Sequence, residues 1–278
     1  MTIIDGRKIA SEILAKLKSL PRPEKFLAVV LIGDDAASLS FIKQKEKAAK
    51  ELGIDFRLYK FASDTKNDEL RDEVRKIADH KTCGGVIVQL PLPDNASAQY
   101  VLNAIPREKD VDVLGERALG AFYAGRNPVL PPAVGVVDTV CQVSGVRYQD
   151  LRVAVVGRGL LVGKPVALWL MDKAKELCAL GREGELAILK ECDLVVSGVG
   201  KAGLIKPPML KDGAGVIDFG YSTRTDADLT RTNADKLVGD LDTSLPSLSS
   251  LSFYTPTPGG TGPILVAKLF ENFYKLNS

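Results

Sequence analysis

Histidine is almost absent from the sequence, which has a single one, His80, among 278 residues. The residues that follow it, 81–85, are typical of a loop between a helix and a strand, so we interpret His80 as a surface residue. A histidine-based catalytic triad or a multi-histidine metal site would have to be built on this residue alone, which argues against both. We therefore expect any general base to be Lys, Asp, Glu, Tyr or Cys.

Cysteine is also scarce, and its four residues lie far apart in the sequence, at Cys83, Cys141, Cys178 and Cys192. No two of them form a Cys-x-x-Cys motif, so the sequence predicts neither a metal site nor a redox-active dithiol. A reducing, cytoplasmic environment is the expectation for such a chain.

Long apolar runs and an excess of one charge are missing as well. The longest apolar run, Phe26–Ile32, is far too short to cross a bilayer. Asp5 and Gly6 stand where a signal peptide would need its apolar core. With 37 basic and 35 acidic residues the net charge is +2, which gives no reason to expect a nucleic-acid or membrane partner. The length suits one large or two medium-sized domains.

Apolar periodicity predicts strands and helices that alternate along the chain. In the first half it predicts strands at 26–32, 55–60 and 85–90, and helices at 7–20, 38–53, 68–78 and 96–104. In the second half it predicts strands at 151–157, 176–180, 193–197, 215–219 and 252–254. It also predicts a helix at 134–143, a second helix that ends at about 173 and a third that ends at about 276. Such alternation predicts α/β architecture with parallel sheets covered by helices. The stretch at 106–132 has no clear period, and we interpret it as a functional loop and domain junction.

The predicted helix at 38–53 places one lysine on its apolar side. Ser38 is expected to cap the N-terminus of this helix, and Gly53 to end it. At about 100° per residue, Lys45 falls on the apolar stripe one turn after Phe41, whereas the other three lysines face the opposite side. A lysine held against apolar surface loses hydration, and its pKa falls towards that of a general base. The alternative is that Lys45 extends its amine to water from the edge of the stripe.

A glycine-rich loop follows the predicted strand at 151–157. Its glycines, Gly157, Gly159 and Gly163, are spaced one residue wider than in the usual dinucleotide fingerprint. Glycine allows the backbone to approach a diphosphate, and the N-terminus of the following helix attracts it. Glycine turns after strands are common, but the further strands that follow this one favour a dinucleotide site.

Two arginines near this loop favour NADP over NAD. NAD sites usually carry Asp or Glu at the end of the second strand to hold the ribose hydroxyls. Here Arg158 lies in the loop and Arg182 follows the predicted strand at 176–180, and two guanidinium groups suit a 2′-phosphate. The alternative is NAD, with Arg182 on the surface and Glu183 bound to the ribose.

Other polar and glycine positions are further candidates. Gln89 ends a buried strand, where open α/β sheets bind ligands, but its amide could equally bond a neighbouring loop. Asp110 and Asp112 could belong to a site or could only cap or turn the chain. The loop at 258–262 has three glycines before a helix, which favours a ligand over a plain tight turn.

Together these motifs resemble the methylenetetrahydrofolate dehydrogenase/cyclohydrolase family, the FolD-type proteins. The matching motifs are Ser-x-x-aromatic-x-x-x-Lys-x-Lys at 38–47, Val-Gln-Leu-Pro-Leu-Pro at 88–93, Lys-Asp-Val-Asp at 109–112, Val-Gly-Arg-x-x-x-Val-Gly-Lys-Pro at 156–165 and Thr-Pro-x-Pro-Gly-Gly-x-Gly-Pro at 255–263. They are collinear over nearly the whole chain, and those at 88–93 and 256–263 are the most specific.

The resemblance implies two reactions in one site: oxidation of methylenetetrahydrofolate with NADP, and hydrolysis of the methenyl product to formyltetrahydrofolate. It implies that Lys45 manages the proton of hydrolysis, that Gln89 bonds the folate and orients Lys45, and that Asp112 holds the pterin. The implied substrate-binding residues are Phe41, Lys45, Gln89, Asp112, Pro258, Gly259 and Gly260. The candidate cofactor-binding residues are Gly157, Arg158, Gly159, Val162, Gly163, Arg182, Tyr221 and Gly262, and no metal is expected.

The resemblance also implies a fold of two α/β domains. A folate-binding catalytic domain is expected at 1–130, a Rossmann-type NAD(P)-binding domain at 131–261, and a C-terminal helix at 262–278 that returns to the first domain. Members of the family are usually cytoplasmic homodimers that act on tetrahydrofolate derivatives.

Several positions depart from the family pattern. Phe41 replaces a tyrosine, Val113 a glycine and Gly159 a serine, and the family's histidine–serine pair is absent near Leu180 and Gly181. These departures bear on the balance of the two activities. A dehydrogenase-only protein, another two-domain dehydrogenase with a catalytic lysine, such as a shikimate dehydrogenase, and a folate or nucleotide binder without turnover are the alternatives.

Overall fold

The computed structural model describes residues 1–223 and 237–278. Its strands are β1 (Thr2–Ile3), β2 (Phe26–Ile32), β3 (Phe56–Phe61), β4 (Cys83–Val88), β5 (Arg152–Val156), β6 (Glu176–Leu180), β7 (Leu194–Ser197), β8 (Gly215–Asp218), β9 (Ser222–Thr223), β10 (Leu237–Val238) and β11 (Phe253–Tyr254). Its α-helices are α1 (Gly6–Lys18), α2 (Ala36–Leu52), α3 (Asn67–Asp79), α4 (Ala98–Leu102), α5 (Glu116–Tyr123), α6 (Pro132–Val143), α7 (Gly163–Leu170) and α8 (Thr261–Leu276). The predicted α/β class is confirmed.

The chain divides into two compact units. Unit 1 comprises Met1–Ile9 and Ala133–Leu265, and unit 2 comprises Ala10–Pro132 and Val266–Ser278. Within the described residues, no helix is both long and apolar enough to cross a membrane.

Unit 2 is built on a parallel sheet of three strands in the order β3-β2-β4. The central strand β2 has the predicted bounds, and all seven of its residues are buried, as expected for a strand covered on both faces. The last part of α8 is tied to this unit by Asn272, whose amide donates to Val111 O at 2.9 Å and to Leu130 O at 2.8 Å. This buried amide therefore fixes the backbone one residue before Asp112.

Unit 1 contains a parallel sheet of six strands in the order β1-β11-β8-β7-β5-β6. The five strands predicted in the second half of the chain are all present in this sheet. The edge strand β1 comes from the N-terminus, which the sequence assigned to the first domain. The structure places Met1–Ile9 in unit 1 because β1 pairs with β11, with Thr2 opposite Phe253. A two-residue strand has no periodicity from which this pairing could be predicted.

The helix that carries Lys45 begins earlier than predicted. It starts at Ala36, not at Ser38, because the carboxylate of Asp35 caps it by accepting the Ser38 N–H at 2.7 Å. Gly53 ends the helix with φ 69°, in the left-handed conformation that a glycine C-cap supplies, as predicted.

Two further boundaries differ from the predictions. The stretch interpreted as irregular contains α5, in which only Ala118 and Phe122 are buried and Gly120 lowers the helix propensity. Two apolar positions one turn apart do not establish a helical period. Strand β4 ends at Val88, so Gln89 lies just beyond the strand.

Candidate active site

The amine of Lys45 is buried in unit 2 and bonded to Gln89. Lys45 is 6% exposed, and its Nζ donates to Gln89 Oε1 at 2.8 Å. The alternative in which this side chain extends to water is therefore wrong. Phe41 lies one turn earlier on the same helix and is half-buried.

Gln89 is held in one orientation by its own neighbours. Its backbone N–H donates to Val30 O at 2.9 Å, which continues the pairing of β2 with β4. Its side-chain Nε2 donates to Leu90 O at 2.8 Å. Because this bond uses the amide nitrogen, the amide oxygen is the atom left to face Lys45.

Burial and one carboxylate set the charge state of the amine. Burial lowers the pKa of Lys45 below the usual lysine value, and the negative charge of Asp112 raises it in part. Asp112 is half-buried; burial raises the pKa of its carboxyl group, and the positive charge of Lys45 lowers it. The neutral amine is thus accessible at a lower pH than in water, which suits a group that accepts a proton.

The Lys-Asp-Val-Asp motif divides into supporting residues and one residue that interacts with Lys45. The amine of Lys109 donates to Ala78 O and His80 O, where it neutralises the C-terminal end of α3. The carbonyl of Val111 accepts the bond from α8 described above. Only Asp112 interacts electrostatically with Lys45.

Asp110, in the same motif, holds the turn that follows Asp112. It is 1% exposed, and its Oδ2 accepts the N–H groups of Leu114 at 3.0 Å and Gly115 at 2.8 Å. Its Oδ1 has no hydrogen-bond partner among the described residues. Burial raises the pKa of Asp110 to about 7, although the bond from Gly115 opposes this shift.

Val113 occupies an unfavourable backbone conformation in that turn. Its φ is 57°, in the left-handed region that β-branched residues rarely adopt, and its side chain is buried. Such a residue costs on the order of 1–3 kcal/mol, so the surrounding structure must hold it in place.

The glycine-rich loop of unit 1 forms a backbone cradle at the N-terminus of α7. Gly157 follows β5 with φ 97°, and a Cβ on Gly163 would lie 1.9 Å from Gly157 O. The third glycine is therefore required where the helix packs against the loop. A Cβ on Gly159 would meet no atom within 4 Å, so this side of the loop is open. Val162 precedes the helix and is half-buried. The cradle fits a diphosphate bound by backbone N–H groups.

Arg158 lies across the end of β6. Its Nε and Nη2 donate to Ala179 O at 3.2 and 2.7 Å, and a Cβ on Gly181 would lie 3.3 Å from its Cζ. Arg182 is exposed and follows the same strand end. This is where a dinucleotide site holds the ribose.

The remaining predicted site residues also lie in unit 1. Pro258 is exposed, Gly259 has φ 101°, and Gly260 is buried. Gly262 lies in the first turn of α8 and Tyr221 just before β9, and both are half-buried. The structure thus brings Lys45, Gln89 and Asp112 together in unit 2 and places the predicted cofactor residues in unit 1.

The sequence analysis missed two buried carboxylates in unit 1. Asp240 accepts bonds from Ser197 Oγ at 2.6 Å and from the N–H groups of Val199 and Lys201, each at 2.8 Å. It thereby fixes the loop after β7.

The second missed carboxylate, Asp218, accepts the N–H groups of Gly220 at 2.6 Å and Leu241 at 2.9 Å. Burial, and then the charge of Asp240, raise the pKa of Asp218 to about 6. An acidic residue at the end of an apolar strand was the signal available for Asp218. Within residues 1–223 and 237–278, no cluster of three or more His, Cys, Asp or Glu could hold a metal ion.

Two family profiles match the chain in succession. "Tetrahydrofolate dehydrogenase/cyclohydrolase, catalytic domain" matches residues 4–112, and "Tetrahydrofolate dehydrogenase/cyclohydrolase, NAD(P)-binding domain" matches residues 131–278. The chain is 36% identical over 287 residues to the bifunctional protein FolD of Halothermothrix orenii, with 98% of this chain and 96% of that protein covered.

Solved structures give the same result. The bifunctional FolD methylenetetrahydrofolate dehydrogenase/cyclohydrolase from Campylobacter jejuni has a TM-score of 0.90 at 29% identity, covering 100% of this chain and 98% of that one. The Trypanosoma brucei enzyme, complexed with NADP cofactor and inhibitor, has a TM-score of 0.90 at 28% identity, covering 99% and 96%. The chain belongs to the tetrahydrofolate dehydrogenase/cyclohydrolase family.

Proposed function

We propose that the protein oxidises methylenetetrahydrofolate to methenyltetrahydrofolate with NADP and hydrolyses this product to formyltetrahydrofolate, as part of one-carbon metabolism. The observation that carries the proposal is the buried bond between Lys45 Nζ and Gln89 Oε1, beside the charge of Asp112. Family membership supports both reactions and decides against a shikimate dehydrogenase.

Lys45 acts in the hydrolytic reaction. Water adds to the methenyl carbon, one of the two carbon–nitrogen bonds to that carbon breaks, and the departing nitrogen takes up one proton of the water as the formyl group forms. The attacking water must lose its other proton to a base. The neutral amine of Lys45 accepts this proton, since burial has lowered its pKa. Gln89 fixes the position of the amine. Asp112 interacts with the same amine and, as the family resemblance implies, holds the pterin ring.

The chain binds a nicotinamide dinucleotide, which supplies the hydride acceptor when bound. Backbone N–H groups of the loop at Gly157, Gly159 and Gly163 would hold its diphosphate. We assign the 2′-phosphate of NADP to Arg158 and Arg182, because Arg158 lies across the end of β6, where the ribose is held, and Arg182 follows that strand end.

The proposal extends to the organisation of the protein. We assign folate binding to unit 2 and dinucleotide binding to unit 1. Because the family resemblance implies it, we also propose Pro258, Gly259 and Gly260 as substrate-binding residues. We further propose a cytoplasmic homodimer, on the basis of the family resemblance.

An absorbance assay with methylenetetrahydrofolate and either NADP or NAD tests this function. We expect methenyltetrahydrofolate to form faster with NADP and then to decay by hydrolysis. Formation without enzyme-dependent decay would support a dehydrogenase-only protein. Binding of both ligands with no change in absorbance would support a binding protein without turnover.

Replacing Lys45 with methionine removes the base and keeps the apolar stem. We expect the hydrolysis of methenyltetrahydrofolate to fall by about two to four orders of magnitude, the usual contribution of a general acid–base group. Hydride transfer should fall less, because it depends mainly on the positioning of the two reactants. Lys43→Met, at an exposed position of the same helix, is the control. Hydrolysis at the unmodified rate in Lys45→Met would show that Lys45 is structural.

Replacing Phe41 with tyrosine tests the effect of the missing hydroxyl group. Phenylalanine can stack on a flat ligand ring but cannot donate a hydrogen bond to an amine or to water. We expect Phe41→Tyr to increase cyclohydrolase turnover and to change dehydrogenase turnover little. The activation free energy of hydrolysis should fall by the value of one net hydrogen bond, about 0.5–1.5 kcal/mol. Both rates are measured on the same preparation. We propose that the missing hydroxyl group skews the balance of the two activities towards dehydrogenase. If both rates stay constant in Phe41→Tyr, or both fall through crowding, this proposal is wrong.

Replacing Arg158 with alanine tests the preference for NADP. The charged hydrogen bond to the 2′-phosphate should be lost, which weakens NADP binding by roughly 1.5–3 kcal/mol and NAD binding much less. The measurement compares kcat/KM for the two cofactors. Arg147→Ala, which removes an exposed arginine elsewhere in unit 1, should leave the ratio unchanged. Equal efficiency with NADP and NAD in the unmodified enzyme would contradict the assignment.

A further inference from the structure

Asp110 is a buried carboxyl group to which the reaction described above gives no role. It lies beside β4, where its backbone bridges to Val86. Three N–H groups converge on it: that of Val113 on its carbonyl at 3.3 Å, and those of Leu114 and Gly115 on Oδ2. All three donors follow Asp112 in the chain, so Asp110 closes the turn that begins there.

The turn needs this support because of Val113. A valine with φ 57° is held in a conformation that its side chain disfavours. Without the bonds to Asp110, the backbone at this position would relax towards negative φ. Since Asp112 is the preceding residue, this relaxation would also turn its carboxylate away from its present place near Lys45.

We propose that Asp110 is a positioning residue of the cyclohydrolase reaction, which holds the left-handed turn at Val113 and thereby sets the place of the Asp112 carboxylate relative to the Lys45 amine. This inference rests on the proposed function of Lys45 and Asp112. It assigns no contact with substrate to Asp110.

A purely structural role is the competing explanation, since Leu114 and Gly115 directly precede α5 and Asp110 could serve only as its cap. The chain offers a matched control for that role. Asn103 Oδ1 accepts the N–H of Glu116, the first residue of α5, at 2.9 Å. Asn103→Ala therefore removes a cap from the same helix and leaves in place the bonds from Leu114 and Gly115 to Asp110.

The experiment compares Asp110→Ala, Asp110→Asn, Asn103→Ala and the double variant Asp110→Ala/Val113→Gly. The kcat and KM of methenyltetrahydrofolate hydrolysis are measured at a temperature where circular dichroism shows the variants folded, and the denaturation midpoint is recorded for each. We expect Asp110→Ala to lose about 10- to 100-fold in kcat/KM, the scale of a misplaced group. Asn103→Ala should lower the midpoint but lose less than about threefold, well below the loss from a misplaced group.

Two rescues distinguish positioning from stability. Asp110→Asn keeps an oxygen that can accept both N–H groups, and should recover most of the rate lost in Asp110→Ala. Glycine adopts the left-handed conformation without strain, so Val113→Gly should recover about tenfold in the Asp110→Ala background even though it removes a buried side chain.

Specific results would overturn the proposal. One is a loss of rate in Asn103→Ala as large as that in Asp110→Ala; another is no recovery on adding Val113→Gly. If Asp110→Ala does not fold, a tenfold or larger loss in folded Asp110→Asn decides against positioning. Lys45→Met, assayed alongside, distinguishes failure of the proposed function from failure of the positioning role of Asp110. If it keeps hydrolysis, the proposed function fails and this inference with it, whereas if only Lys45→Met loses activity, the positioning role alone is wrong.

Discussion

The hydrogen bond between the buried amine of Lys45 and the amide oxygen of Gln89 is the contact on which the candidate active site depends. Moving an ammonium group out of water costs several kcal/mol, even after a protein relaxes around it. Gln89 and the charge of Asp112 offset only part of this cost, so the amine gives up its proton more readily than a lysine in water. We propose that this enzyme, whose one histidine is on its surface, thus obtains its base from a lysine.

The scaffold around this contact explains its geometry. Gln89 follows β4, and its backbone is bonded to the central strand β2. The sheet therefore fixes the amide oxygen that accepts the hydrogen bond from the Lys45 amine. Lys45 lies on the buried side of α2, nearly three turns after the cap at Asp35. The backbone before Asp112 is held by Asn272 of α8 and the turn after it by Asp110. Sheet, helix and turn each place one group of the site.

Sequence patterns predicted those features that depend on local periodicity or on a specific motif. The bounds of β2 followed from one apolar run, the C-cap of α2 from Gly53, and the unusual place of Lys45 from helical spacing. The pairing of β1 with β11 could not be predicted in this way, because it joins residues about 250 positions apart through two residues each. The bonds from Leu114 and Gly115 to Asp110 and the left-handed φ of Val113 depend on tertiary packing, and the sequence at that position favours neither.

The central claim is that Lys45 is a buried amine with a lowered pKa, and titration of its side chain tests it most directly. In protein labelled with ¹³Cε-lysine, the Cε chemical shift of each lysine is followed by NMR as the pH is raised. Our account predicts one lysine that titrates below the ordinary value of about 10.4, and the loss of that signal in Lys45→Met. If every lysine titrates at the ordinary value, or if the shifted signal persists in Lys45→Met, the account is contradicted.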